Sequence, residues 1–151
     1  MLFTQGQVRS LLEIQFETLR RWREHIPALA RHKGHAPSFT PGDVVALALI
    51  SDLVAQYGVR PNALASSFDS LVQACHGCSW MMLETCVAVF DATGVKLLQA
   101  SDPRRDLGEG LILSAPCRPL VERLRARLVD VEPEAVQPSL QFPPVPVRGG
   151  R

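Results

Sequence analysis

The chain has 151 residues, of which 46% are hydrophobic and 21% charged. That is enough apolar content to bury a core and too much for a chain disordered throughout. A net charge of +1 excludes a polycation that adheres to acidic partners over its whole surface. Residues 1–6 lack the basic and apolar regions of an export signal, so a cytoplasmic location is expected. The most apolar stretch, residues 44–54, is too short to cross a bilayer and contains Asp52, so no membrane partner is expected.

The charge is unevenly placed. Residues 1–40 carry Arg9, Arg20, Arg21, Arg23, Arg31 and Lys33 against Glu13, Glu17 and Glu24. Residues 41–100 carry Arg60 and Lys96 against Asp43, Asp52, Asp69, Glu84 and Asp91. A basic first segment joined to an acidic second one can orient a protein on a polyanion.

The string Thr4-Gln5-Gly6-Gln7 has capping-box spacing, and Val8, Leu11 and Leu12 follow at helical period. This predicts a helix over 5–12. A break at Glu13-Ile14-Gln15 precedes a second helix over 16–24. Its apolar stripe is Phe16, Leu19, Trp22 and Ile26, and its outer face carries Arg20, Arg21 and Glu24. Residues 28–39, with Gly34 and Pro37, read as a loop or small β-hairpin.

Thr40-Pro41-Gly42-Asp43 then supplies a hydroxyl cap, a proline in the first turn and an acid near the positive helix end. The helix it opens runs to Tyr57, stops at Gly58, and is apolar around most of its circumference. Asn62 is placed to cap a fourth helix, with Leu64, Phe68, Leu71, Val72 and Cys75 on one stripe.

After Cys78 the texture changes. Residues 86–90 read as a strand, 91–94 as a turn, and 95–98 as a return strand. A third strand is expected near 110–113. A final helix is expected to begin near Pro119, with Leu120, Leu124 and Leu128 at four-residue steps. From Pro133 onward the Pro-rich composition suggests a disordered tail. The fold class expected is mainly α, α+β overall. An N-terminal unit at 1–75 is followed by a smaller α+β region at 79–131 and the tail at 132–151.

Helix, tight break, helix, basic loop and apolar helix, in that order, make a helix-turn-helix with a wing. Such an arrangement needs a first helix to brace a second one, which buries one face and offers donors on the other. The expected DNA contacts on the second helix are Glu17, Thr18, Arg20 and Arg21. Those on the loop are Arg31, His32, Lys33 and His35, which would position the protein on the phosphate backbone.

At these residues the chain resembles the MerR family and the related excisionase-type winged helices, over about residues 3–72. The resemblance rests on Phe3-Thr4, on Thr18-Leu19-Arg20-Arg21-Trp22-Arg23, and on Gly34-His35-Ala36 before Phe39-Thr40. It implies a bacterial transcriptional regulator, with Arg20 on the family's phosphate-binding arginine and Trp22 on a packed aromatic. Glu13 stands where the family usually has Gly, Ala36 where the wing usually has Arg, and no long heptad helix follows residue 75.

Double-stranded DNA and a second copy of the chain are the expected partners. Pairing is assigned to Leu120, Leu124 and Leu128, and an effector or protein partner to 79–131. An architectural DNA-bending protein of excisionase or phage type is one alternative, and a protein-interaction adaptor using the C-terminal helix is another. Cys75, Cys78 and Cys86 have metal-ligand spacing, but their apolar neighbours favour buried thiols, so no metal or cofactor is expected. No nucleophilic triad, paired catalytic acids or phosphate-cradling glycine loop is evident, and an enzyme is not expected.

Overall fold

The computed structural model describes residues 1–102 and 110–130. The chain is mainly α-helical with one small sheet. Helix α1 spans Gln5–Leu12, opened by a capping box in which Thr4 Oγ1 accepts from the Gln7 amide and Gln7 returns an acceptor to the Thr4 amide. It ends at Glu13, whose backbone lies in the left-handed region at φ 55°. Helix α2 spans Phe16–His25 without a side-chain cap, and Pro27–Arg31 forms a 3-10 turn behind it.

Leu19, Trp22 and Ile26 are buried as the stripe requires, but Phe16 is not. Its ring is 47% exposed and lies under the Arg9 guanidinium, 5.6 Å away, because the αL turn at Glu13 leaves the first position of α2 outside the core.

Helix α3 spans Pro41–Tyr57 and α4 spans Ala65–Cys75. Every residue from Gly42 to Ile50 is buried, so α3 runs through the centre of the molecule, as its all-round apolar sequence demands. A side chain at Gly42 would meet the Cys75 carbonyl oxygen at 1.7 Å. Only glycine lets α3 approach the end of α4 so closely. Helix α4 starts later than Asn62 suggests, because a turn with Ala63 N–H donating to Arg60 O occupies those residues.

The short helix α5, Trp80–Leu83, is tied down by Trp80 Nε1–H donating to Pro41 O at 2.8 Å. Strands β1 (Cys86–Asp91) and β2 (Gly94–Gln99) form the expected hairpin. Strand β3 spans Leu113–Pro116 and pairs antiparallel with β1, giving the order β2-β1-β3. It lies three residues past the expected position, because the pairing of Phe90 with Leu113 and Val87 with Pro116 sets the register. Helix α6 spans Cys117–Asp130 and starts two residues before Pro119. The expected tail at 132–151 lies outside the described residues.

One apolar cluster includes Phe3, Leu11, Trp22, Leu47, Phe68, Ala88 and Leu124. It crosses the boundary that the change of texture after Cys78 suggests. Leu120 and Leu124 are buried in it and Leu128 packs against it. The expected dimerisation ridge is therefore spent within the chain, since α6 needs it to pack on α1 and α3. No helix among the described residues is long and apolar enough to cross a membrane.

Candidate nucleic-acid interface

The outer face of α2 is set by the stripe that buries Leu19 and Trp22. Opposite that stripe Glu17, Arg20 and Arg21 are exposed, while Thr18 is half-buried at its margin. Arg20 is held along its own helix, with Nη2 2.8 Å from Glu17 and Nη1 3.3 Å from Glu24. The hydrogen bond and charge of Glu17, with Glu24 adding, raise its guanidinium above the ordinary arginine value. Arg21 and Arg23 have no carboxylate within 4 Å among the described residues.

Two grooves flank this helix. Thr18, Arg21 and His25 face Arg60, Pro61 and Asn62 across one of about 320 Å³. Arg20, Arg23 and Glu24 face Ala30 and Lys33 across another of about 210 Å³. The two sets of α2 residues lie on opposite sides of the helix, as a 100° step per residue requires. Arg60 and Asn62 thus share a groove with Arg21, and neither was among the residues expected from the sequence. The available signal was small: a lone cation in a loop just past the helix stop at Gly58.

Of the two forms expected for residues 28–39, the structure has the loop and not the hairpin. Residues 27–31 form the 3-10 turn, and the loop returns through a single antiparallel bridge between Phe3 and Phe39. Phe3 N–H donates to Phe39 O at 2.8 Å, and Phe39 N–H to Phe3 O at 3.1 Å. Lys33 and His35 are exposed on this loop, as is Arg31 at its base. His32 is not: its ring is buried and stacked on Phe39 with centroids 4.0 Å apart. The expectation of His32 as a DNA contact is corrected, because the loop folds that side chain inward against α3.

The cysteines lie away from this face. Burial pushes the Cys75 thiol far up, raises Cys78, and brings Cys117 up to about 11. Thiols so shifted stay protonated at neutral pH and pack as small apolar groups. Among the described residues no three His, Cys, Asp or Glu side chains converge in a way that would hold a metal ion.

This face offers guanidinium donors on α2, with Lys33 on one flanking loop and Arg60 on the other. Guanidinium forks suit phosphate oxygens and guanine edges. No family model matches this chain, and no curated protein or solved structure matches it either.

Proposed function

We propose that the chain is a DNA-binding regulator that lays α2 in the major groove, in the manner of the MerR-like winged helices. The observation that carries this reading is the pair of cation-lined grooves on opposite sides of α2. A helix with donors on its outer face and a basic loop at each flank matches a major groove bordered by two phosphate strands. Arg21 and Arg23 contact DNA directly, Lys33 and His35 meet one strand, and Arg60 meets the other. Glu17 restrains Arg20 until a phosphate replaces it.

The regulator acts in the cytoplasm and recognises a two-fold operator as a pair of copies, since one such unit reads few base pairs. The pairing surface lies elsewhere than on the leucines of α6. The test is binding of a mixed-sequence duplex by the full chain across a salt series. A log–log slope of about −3.5 to −4.5 is expected from four or five phosphate contacts, and a flat dependence with no retention would refute the reading.

A further inference from the structure

The base of the wing holds a polar cluster that plays no direct part in the proposed interface. Asp43 is fully buried, yet it carries a carboxylate. Its oxygens accept from the Thr40 amide at 2.8 Å and from His76 Nδ1 at 2.9 Å. His32, with its side chain 1% exposed, lies beside it. The ring's Nδ1 is 3.3 Å from Ser38 Oγ. Its Nε2 stands between two partners of opposite kind, Arg31 Nε at 3.4 Å and Asp43 Oδ2 at 3.5 Å. Arg31 Nη2 also reaches toward Asp43, 3.8 Å from Oδ1.

A guanidinium N–H can only donate. In the tautomer in which Nε2 accepts that N–H, Nδ1–H points to Ser38. Burial lowers the affinity of His32 for a second proton, Asp43 opposes that, and Arg31 and His76 reinforce it. The groups acting on the ring are thus Arg31 from the 3-10 turn, Asp43 from α3 and His76 from just past the end of α4, with neutral Ser38 and Phe39 on the returning chain. At neutral pH the ring is uncharged and accepts from Arg31. A protonated Nε2 can no longer accept. It meets Arg31 as cation against cation, and Asp43 Oδ2 is the acceptor within reach.

We propose that His32 is a proton-operated partner switch: uncharged, it keeps Arg31 docked on the protein, and charged, it turns to Asp43 and releases Arg31 to solvent. Arg31 is already 40% exposed, so release needs a side-chain rotation rather than unfolding. Only the consequence for DNA rests on the function proposed above. A freed Arg31 joins Lys33 and His35 as a phosphate donor, so acidification strengthens backbone contact through the wing.

The experiment is an NMR titration of the labelled full chain from about pH 7.5 to about pH 5, the range in which histidine changes charge. It follows the His32 ring and the water exchange of Arg31 Nε–H, with Arg21 Nε–H as exposed reference. The expected result is that Arg31 exchange, relative to Arg21, rises by about tenfold or more in step with His32 protonation. His32→Phe keeps the stack on Phe39 and has no proton to take, so Arg31 should exchange at one pH-independent relative rate.

Arg31 exchange that does not follow His32, or that changes equally in His32→Phe, overturns the switch. The wild-type titration decides this even if the variant fails to fold. Arg31 release without any binding of a mixed-sequence duplex supports the switch while refuting the DNA interface. Tightening of duplex binding on acidification that is smaller in Arg31→Ala supports both.

Discussion

Arg20 and Arg21 are neighbours in sequence and opposites in circumstance. Arg20 is paired on both sides within its helix, while Arg21 faces a groove with no carboxylate within 4 Å among the described residues. Arg21→Ala should therefore flatten the salt dependence of duplex binding by about one unit of log–log slope without changing thermal stability. Arg20→Ala should do less, and Glu17→Ala should tighten binding by freeing Arg20. Equal losses from the two arginine variants would contradict this ordering.

At the same scale, Gly42→Ala should cost about 3 kcal/mol or more, because its methyl group would overlap a backbone carbonyl that cannot rotate away. Chemical denaturation of the two chains measures it. His32 adds a pH term. Its folded-state value is lowered, so the unfolded chain takes up the proton more readily. The stability it contributes is present above the ordinary histidine range and is lost as pH falls through that range toward the folded value. His32→Phe should flatten this part of the curve of stability against pH.

The turn between α1 and α2 joins local geometry to a distant helix. Arg127 of α6 donates to Leu11 O and to the Glu13 carboxylate, both at 2.7 Å. It thereby caps the carbonyl end of α1 from across the molecule. Arg127→Ala should speed amide exchange at residues 13–16 while leaving the sheet protected. Glu13→Gly should relieve about 1 kcal/mol of left-handed strain. It would lose only an exposed ion pair, and so should be neutral or mildly stabilising.

The helix starts at Thr4 and Thr40 were legible because a capping box is written within four residues. The hairpin at 86–99 was legible for the same reason, since its turn and its alternation are local. Strand β3 and the start of α4 were not, because long-range pairing places one and an uncapped turn places the other. In the candidate site, the arginines of α2 were legible from the burial stripe. The inward turn of His32 and the approach of Arg60 to Arg21 were not, because both depend on how α3 lies against the loops at its two ends.

For the molecule as a whole, the single apolar cluster decides what can be removed. The texture of the sequence suggests that residues 1–75 would stand alone. The structure instead seats α6 against α1 and α3, with Leu124 and Val121 fully buried. A chain ending at residue 78 would expose the faces of α1 and α3 that α6 covers. It should show no cooperative thermal transition, and far-ultraviolet circular dichroism of the fragment checks this. A fragment that melts cooperatively near the temperature of the full chain would restore the two-unit view.

Helix α6 also fixes how this protein can be altered. Arg123, Arg125 and Arg127 bind Asp52, Glu84 and Glu13, three carboxylates on three different segments. Three alternate positions on one helix thus answer to three separate places in the chain. A charge reversal at any one of them should be rescued by the reciprocal reversal at its own partner and not at the other two. A foreign C-terminal helix grafted onto this scaffold would leave without its cation whichever of those three acids it failed to match.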